Sequence, residues 1–297
     1  MVAGKSNPYY LPVSREIITS LKKEKISLKE YSYTLDAGEK SEDFIADIKN
    51  VSPDLIVTIG PWQTEFMAQN FKNIPIVFTM VYHIDLMDQI MEETPLMRGV
   101  YINLDMQSPF SCLKTISPSL KKIGLIYSRR FFSRIVPGLK ESAFNSGLEL
   151  IARPIDNETS LPGALESLIF RYNIQAFYFL PDPILLRRSA MKKIMLLSMT
   201  RNFYVFSEYY KLLENGALAS FSFKTDEVVQ KTTALMMSAL GIAGREKEKQ
   251  TQPSLQCREY ELILNENMVK AFELSIPDGI RMKSVSFKKI KAEYAVS

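Results

Sequence analysis

The stretch that decides the fold runs from Pro53 to His83 and reads PDLIVTIGPWQTEFMAQNFKNIPIVFTMVYH. Its first part, Leu55 to Ile59, is rich in β-branched residues and stops at Gly60-Pro61, a pair that ends strands. Apolar residues at helical spacing follow, and a second apolar run begins at Ile76. The stretch therefore predicts a strand, a helix and a second strand.

Both strands of this unit are too uniformly apolar to have one face in water, which is typical of parallel strands covered by helices on both sides. Sheets of this kind bind ligands beyond the carboxyl ends of their strands. The residues predicted at those two ends are Pro61, Trp62 and Gln63 after the first strand, and Thr79, Met80 and Val81 after the second. They are the first candidates for a binding site.

The same alternation of strands and helices continues along the chain in two sets of similar length. A second set begins after a change of sheet near Leu104 to Pro109, with a predicted strand from Ile123 to Tyr127. Further strands are predicted at Leu148 to Arg153, Ala176 to Leu180, Phe203 to Phe206, Ala217 to Phe221 and Tyr260 to Leu264. Since 297 residues exceed the usual size of one core, the pattern predicts an α/β fold of two doubly wound lobes.

The composition is that of an ordinary globular chain, with 46% apolar and 24% charged residues. The net charge of +4 is spread along the sequence, so we do not expect nucleic-acid binding. No stretch approaches the roughly 18 to 20 apolar residues of a membrane span. The first residues lack the basic, apolar and small-residue regions that follow one another in a secretory signal. We therefore expect that the protein is cytoplasmic or that its leader is absent from this sequence.

Residues that carry enzyme chemistry are scarce. His83 is the single histidine, and no nucleophile motif, phosphate loop or dinucleotide fingerprint accompanies it. Cys112 and Cys257 lie far apart without zinc-ligand spacing, and they are either two buried thiols or a disulfide. The sequence therefore predicts no enzyme activity, no cofactor and no metal.

Loops at the carboxyl ends of both sets of strands supply aromatic, hydroxyl and carboxylate side chains, which suit a small, partly apolar ligand. The candidate ligand-binding residues are Tyr9, Tyr10, Trp62, Gln63, Thr79, Met80, Ser128, Phe132, Ser133, Asp182, Glu208 and Ser220. Three of them have structural alternatives. Trp62 either stacks on a ligand or packs in the protein. Asp182 either binds the ligand or forms a turn or helix cap, and Glu208 either binds the ligand or pairs with a surface lysine.

Several segments, in this order, resemble the substrate-binding proteins of one ABC-importer family with the type I periplasmic-binding fold, which includes tryptophan-type amino-acid binders. They are PDLIVTIG, IPIVFT, KKIGLIYSR, SGLEL, LPDPILLRR, NGALASFSF and the closing YELILNENMVKAFELSIPDGI, and they cover roughly Ser14 to Ile280. The resemblance implies two Rossmann-like three-layer lobes with parallel sheets, joined by three crossovers that act as a hinge. It also implies a first lobe of residues 1–105 plus 223–256 and a second of 106–222 plus 257–297.

Two departures from this family fall in the predicted cleft. The first is the segment Ser128 to Ser133, SRRFFS, at the position where amino-acid-binding members have an asparagine-proline turn and an Asn-Ser pair. The second is Pro61-Trp62, at the position after the strand-end glycine where relatives often have Thr-Pro. The fold therefore carries over, whereas the ligand is left open among amino acids, aromatic compounds and other carboxylates.

The function implied by the resemblance is that of the solute-binding component of an ABC importer, which closes its hinge on a small organic ligand. The implied partners are this ligand and an ABC permease in the membrane, and we expect a monomer. The implied location is periplasmic or otherwise extracytoplasmic, with or without a membrane tether. The alternative is a ligand-sensing module of a signalling protein with the same fold.

Overall fold

The computed structural model describes residues 1–3, 10–24, 29–34, 41–82, 85–102, 107–242, 254–257 and 260–287. Tyr9 and His83 lie outside these residues, as do residues 243–253 and 288–297. The chain forms two compact units. The first is Met1–Leu104 with Lys224–Glu259, and the second is Asp105–Phe223 with Tyr260–Ser297.

The first segment of the chain alternates strands and helices and contains the predicted strand-helix-strand unit. In order, its elements are β1 (Val2–Ala3), α1 (Tyr10–Lys23), β2 (Tyr33–Thr34), α2 (Ser41–Val51), β3 (Ile56–Ile59), α3 (Pro61–Asn70), β4 (Ile76–Tyr82), α4 (Asp85–Glu92) and β5 (Met97–Ile102). Pro61 begins α3 because its fixed φ suits the first helical position.

The second segment continues the alternation. Its elements are α5 (Ser108–Ile116), β6 (Lys122–Ser128), α6 (Arg129–Phe132), α7 (Val136–Asn145), β7 (Glu149–Ile155), α8 (Leu161–Glu166), β8 (Ala176–Phe179), α9 (Arg188–Arg201), β9 (Tyr204–Ser207) and β10 (Ala219–Phe223). The helices α6 and α7 are separate, and a proline lies in the first turn of α7.

The rest of the chain completes both units. The helix α10 (Thr225–Ala239) and the strand β11 (Ser254–Cys257) belong to the first unit, whereas β12 (Tyr260–Leu264), α11 (Glu266–Ala271), α12 (Asp278–Arg281) and β13 (Ser284–Ser286) belong to the second.

Each unit is built on its own sheet. The strand order is β11-β5-β4-β3-β1-β2 in the first and β13-β12-β10-β9-β8-β6-β7 in the second. The predicted class, two parallel-dominated α/β lobes, is confirmed, but β12 pairs antiparallel with β10. The reason is the connection: Phe223 pairs with Tyr260, so the chain re-enters this sheet at the end where β10 leaves it.

The two strands predicted to be uniformly apolar are buried. Every residue of β3 and residues 76–81 of β4 are buried, which is the two-sided burial expected of parallel strands between helices. Over the residues described, no helix combines the length and apolar character needed to cross a membrane.

Candidate functional site

The first predicted strand ends at Gly60, where the backbone and a tyrosine fix the start of α3. Gly60 has φ 104°, and a Cβ added there would lie 2.5 Å from an atom of the Tyr10 ring. Only glycine fits this conformation and this approach without strain. Tyr10, a predicted site residue, is therefore held against the carboxyl end of β3.

Threonine hydroxyls connect this end of the sheet to neighbouring helices. The Thr64 hydroxyl lies 2.9 Å from that of Thr58 and 2.7 Å from the carbonyl oxygen of Gly60. The hydroxyl of Thr79, another predicted site residue, lies 3.0 Å from that of Thr232 on α10. Sequence reasoning missed Thr232, although a threonine on a buried helix face is a signal for such a contact.

Thr79, Met80 and Val81 lie inside a strand and not after one, which corrects the sequence-based placement of all three. The strand β4 continues to Tyr82, and its register with β5 shifts between Phe78 and Val81. Met80 has φ 57°, a left-handed conformation that non-glycine residues rarely adopt. Bulges of this kind re-aim side chains and are frequent next to functional sites, so the position stays a candidate.

Trp62 lies in the first turn of α3 and packs on its own helix. Its ring stacks on that of Phe66, with centroids 5.5 Å apart and planes at 19°. Phe66 in turn lies 6.1 Å from Phe44 of α2. One face of the Trp62 ring therefore packs within the protein, as the structural alternative predicted. The side chain is only half-buried, so part of its surface is exposed to solvent. Its neighbour Gln63 is buried.

In the second unit, Asp182 connects the last residue of β6 to the loop that follows β8. This fully buried carboxylate accepts hydrogen bonds from the Ser128 amide at 2.6 Å and from the Ile184 amide at 2.8 Å, one on each oxygen. Burial raises the pKa of Asp182, and the hydrogen bonds from Ser128 and Ile184 oppose that shift. Asp182 therefore forms a turn, as its structural alternative predicted, and it contacts the predicted site residue Ser128.

Glu208 directly follows β9 and is buried, with 1% of its surface exposed. The hydroxyl of Tyr178, on the adjacent strand β8, donates a hydrogen bond to Glu208 Oε1. The Tyr178 ring stacks on Phe206 at 4.7 Å and meets the ring of Phe110 edge-on at 5.3 Å. Sequence reasoning missed Tyr178, and the available signal was one hydroxyl within the apolar strand AFYFL.

The other predicted site residues of the second unit, Phe132, Ser133 and Ser220, differ in their burial. Phe132 is buried in the core, whereas Ser133 is exposed and its hydroxyl donates to the Arg129 carbonyl at 2.5 Å. Ser220 is buried beside Ser222, with hydroxyl oxygens 2.8 Å apart. Their ligand contacts stay predictions.

The two cysteines are free and buried, so the disulfide alternative is wrong for this structure. Burial raises the pKa of Cys112 to about 12 and that of Cys257 to about 12. Within the described part of the chain, no group of three or more histidine, cysteine, aspartate or glutamate residues could hold a metal ion.

A family model for the ABC transporter substrate binding protein matches residues 12–288, which includes most of both units. The chain belongs to this family. Its members bind substrates and are not enzymes, and the type I resemblance given above is confirmed.

Two of the similar proteins are named for, or solved with, an aromatic amino acid. A tyrosine-binding protein of Clostridioides difficile is 23% identical over 255 residues, which are 84% of this chain and 69% of that protein. An ABC domain from Streptococcus pneumoniae in complex with L-Trp matches with a TM-score of 0.80 and 14% identity over 96% of this chain and 97% of that one. The ligand-free, open structure of a substrate binding protein with adhesive properties from Clostridium difficile matches with a TM-score of 0.64 and 18% identity over the same shares.

Proposed function

We propose that the chain is the solute-binding component of an ABC importer and that it captures an aromatic amino acid between its two lobes. The observation that carries this proposal is the family match over residues 12–288. The aromatic amino acid is favoured because one relative is a tyrosine-binding protein and one similar structure contains L-Trp.

The side chains at the strand ends support this ligand class. The first unit offers the aromatic rings of Tyr10 and Trp62 near the carboxyl end of β3, and the second offers the carboxylate of Glu208 directly after β9. Aromatic surface with a few polar groups is what a flat, zwitterionic molecule requires.

The mechanism we propose is hinge closure. A ligand that contacts both lobes binds the closed form more tightly than the open form, so it shifts the population toward closure. An ABC permease would then recognise the closed form, and we place this step outside the cytoplasm. The ligand-sensing alternative stays a prediction.

Trp62 permits a direct test because it is the single tryptophan of the sequence. We expect L-tyrosine to change the fluorescence of Trp62 in a saturable way. At a hundred times its dissociation constant, a ligand should stabilise the folded protein by about 2.7 kcal/mol, which a thermal melt detects.

D-tyrosine and L-leucine serve as controls for stereochemistry and for the aromatic ring. If neither L-tyrosine nor L-tryptophan raises the melting temperature, the aromatic amino-acid ligand is wrong. The importer role is tested separately, by adding ligand-loaded protein to its reconstituted permease and measuring ATP hydrolysis, which should rise.

A further inference from the structure

We propose that an exposed face of α9, in the second unit, binds the surface of an anionic lipid bilayer. This inference goes beyond the proposed function, because it concerns attachment of the protein to a membrane surface and not capture of the ligand. We call this surface the α9 face, and it consists of Arg188, Lys192, Lys193, Leu196 and Met199, with Phe170 and Arg201 beside the end of the helix.

The charge of α9 has one sign. Its sequence, RSAMKKIMLLSMTR, contains four cationic residues and no acidic one. Arg188, Lys192 and Lys193 are all exposed. Among the residues that the structure describes, no acidic side chain forms an ion pair with any of these three. An anionic surface can therefore attract their charges without competing with an ion pair inside the protein.

Apolar side chains lie among these cations. Leu196 is 58% exposed and Met199 is 59% exposed, although both are large. They follow Lys192 by four and seven positions, which places all three side chains on one side of the helix. The opposite side of α9 is buried in the second unit through Ala190, Ile194, Met195 and Ser198. The exposed side therefore combines positive charge with apolar surface that the fold does not cover.

Phe170 extends the α9 face beyond the last turn of the helix. Its side chain is 61% exposed, and the guanidinium carbon of Arg201 lies 4.8 Å from the centre of its ring. This cation-π contact places an aromatic ring and a positive charge side by side at the surface. Phenylalanine and leucine beside lysine and arginine are typical of protein surfaces that lie on membranes.

Two acidic residues border the α9 face. Glu158 pairs with Arg187 at 3.1 Å, so the charge of Arg187 balances that of Glu158. Glu214 is exposed and lies two positions before Gly216, and a Cβ added at Gly216 would lie 2.8 Å from the end of the Met199 side chain. Its carboxylate lowers the positive charge at this end without cancelling it, since α9 carries four cations.

The combination of charge and apolar surface favours a bilayer over other anionic partners. Exposed apolar patches of this kind mark surfaces that bind proteins or membranes. A bilayer of anionic lipids offers phosphate groups to the cations and an apolar interior to the three apolar side chains. A nucleic acid or a polyphosphate would engage the cations alone. Members of the family serve ABC transporters, which lie in a membrane, so a bilayer is close to where such proteins act.

The experiment is cosedimentation of the full chain with lipid vesicles. One set contains equal amounts of phosphatidylglycerol and phosphatidylcholine, and the other contains phosphatidylcholine alone. We expect binding to the anionic vesicles to be at least about tenfold tighter, and to weaken as salt is added.

Three double variants test which residues bind the vesicles. Lys192→Gln with Lys193→Gln should weaken binding at least about tenfold, since each cation near an anionic membrane contributes about fivefold. Leu196→Ser with Met199→Ser should weaken it at least about fivefold, because less apolar surface enters the bilayer. The matched control is Lys121→Gln with Lys140→Gln, which removes two exposed charges of the second unit outside α9 and should leave binding within about twofold.

All substituted side chains are exposed, and circular dichroism melts check that each variant folds. The inference is overturned if the unchanged protein does not prefer anionic vesicles, or if the control pair weakens binding as much as the α9 lysine pair. It is also overturned if the serine pair binds as the unchanged protein does, since charge alone then explains adsorption.

A change of oligomeric state in the α9 variants, without a change in vesicle binding, would make this face a contact between copies of the chain and would equally overturn the inference. The proposed function is tested separately, because the thermal melts with L-tyrosine and L-tryptophan contain no lipid. A protein that binds vesicles through α9 but neither amino acid would support this inference and contradict the proposed ligand.

Discussion

Asp182 shows how a single side chain can join the end of a strand to a neighbouring loop in the second unit. One of its oxygens accepts a hydrogen bond from the amide of Ser128, the last residue of β6, and the other accepts one from the amide of Ile184, in the loop after β8. The LPDP sequence predicted a turn-forming aspartate, and this part of the interpretation needed only local chemistry. The contact with Ser128 spans 54 positions and has no signature in the sequence.

We predict that Asp182→Ala lowers the free energy of unfolding by about 2 to 6 kcal/mol, because the buried Ser128 amide and the partly buried Ile184 amide each lose an acceptor at about 1 to 3 kcal/mol. Urea denaturation followed by circular dichroism measures this change. Asp182→Asn keeps one acceptor oxygen and should lose less. Equal stability of all three proteins would show that the connection between the end of β6 and the loop after β8 does not depend on this carboxylate.

Glu208 illustrates the limit of sequence reasoning at the residue scale. Its position after a predicted strand made it a candidate, but its burial and its bond to Tyr178 depend on how β8 and β9 pair. The contact between Thr79 and Thr232 depends in the same way on tertiary structure, since 153 positions separate the two residues.

At the scale of elements, the strands with two buried faces could be predicted because such burial leaves a continuous apolar run, as in β3 and β8. The strand β11 could not. Its sequence SLQC is not strongly apolar, and it forms a strand because β5 offers it a parallel edge, with Ser254 opposite Gly99. The edge strand β13 was missed for the same reason, since its partner is β12.

The turn from β3 into α3 yields a prediction at this scale. Gly60→Ala should destabilise the protein by about 1 to 3 kcal/mol, because alanine is strained at φ 104° and its Cβ would lie 2.5 Å from the Tyr10 ring. Thermal and urea unfolding measure the effect.

Gly163→Ala is the matched control. Nothing lies within 4 Å of a Cβ at this helical position, so the alanine should be neutral or stabilise slightly. A Gly60→Ala protein as stable as the Gly163→Ala protein would contradict the close approach of Tyr10.

At the scale of the whole molecule, each unit is assembled from two separate parts of the chain. The alternation of strands and helices predicted two lobes. This was possible because each βα repeat places its strand next to a strand that is near in sequence. The antiparallel entry of β12 was not predicted, since it follows from where the chain returns to the sheet.

The two cysteines provide one probe for each unit, with Cys257 in the first and Cys112 in the second. Because burial holds both pKa values near 12, we expect neither thiol to react with Ellman's reagent at pH 8 while the protein is folded. Both should react in denaturant. Mass spectrometry of partly labelled protein then shows which unit opens first, and rapid labelling of either thiol in native buffer would contradict its burial.

The late position of β11 has a consequence for biosynthesis. Its partner β5 ends at Ile102, but Ser254 leaves the ribosome only after the intervening chain has been translated, which takes roughly 8 to 30 s at 5 to 20 residues per second. During that interval the nascent polypeptide carries an unpaired β5 edge, which is a template for aggregation. Chaperone capture should therefore peak on nascent chains that have passed β5 and should fall once β11 has emerged.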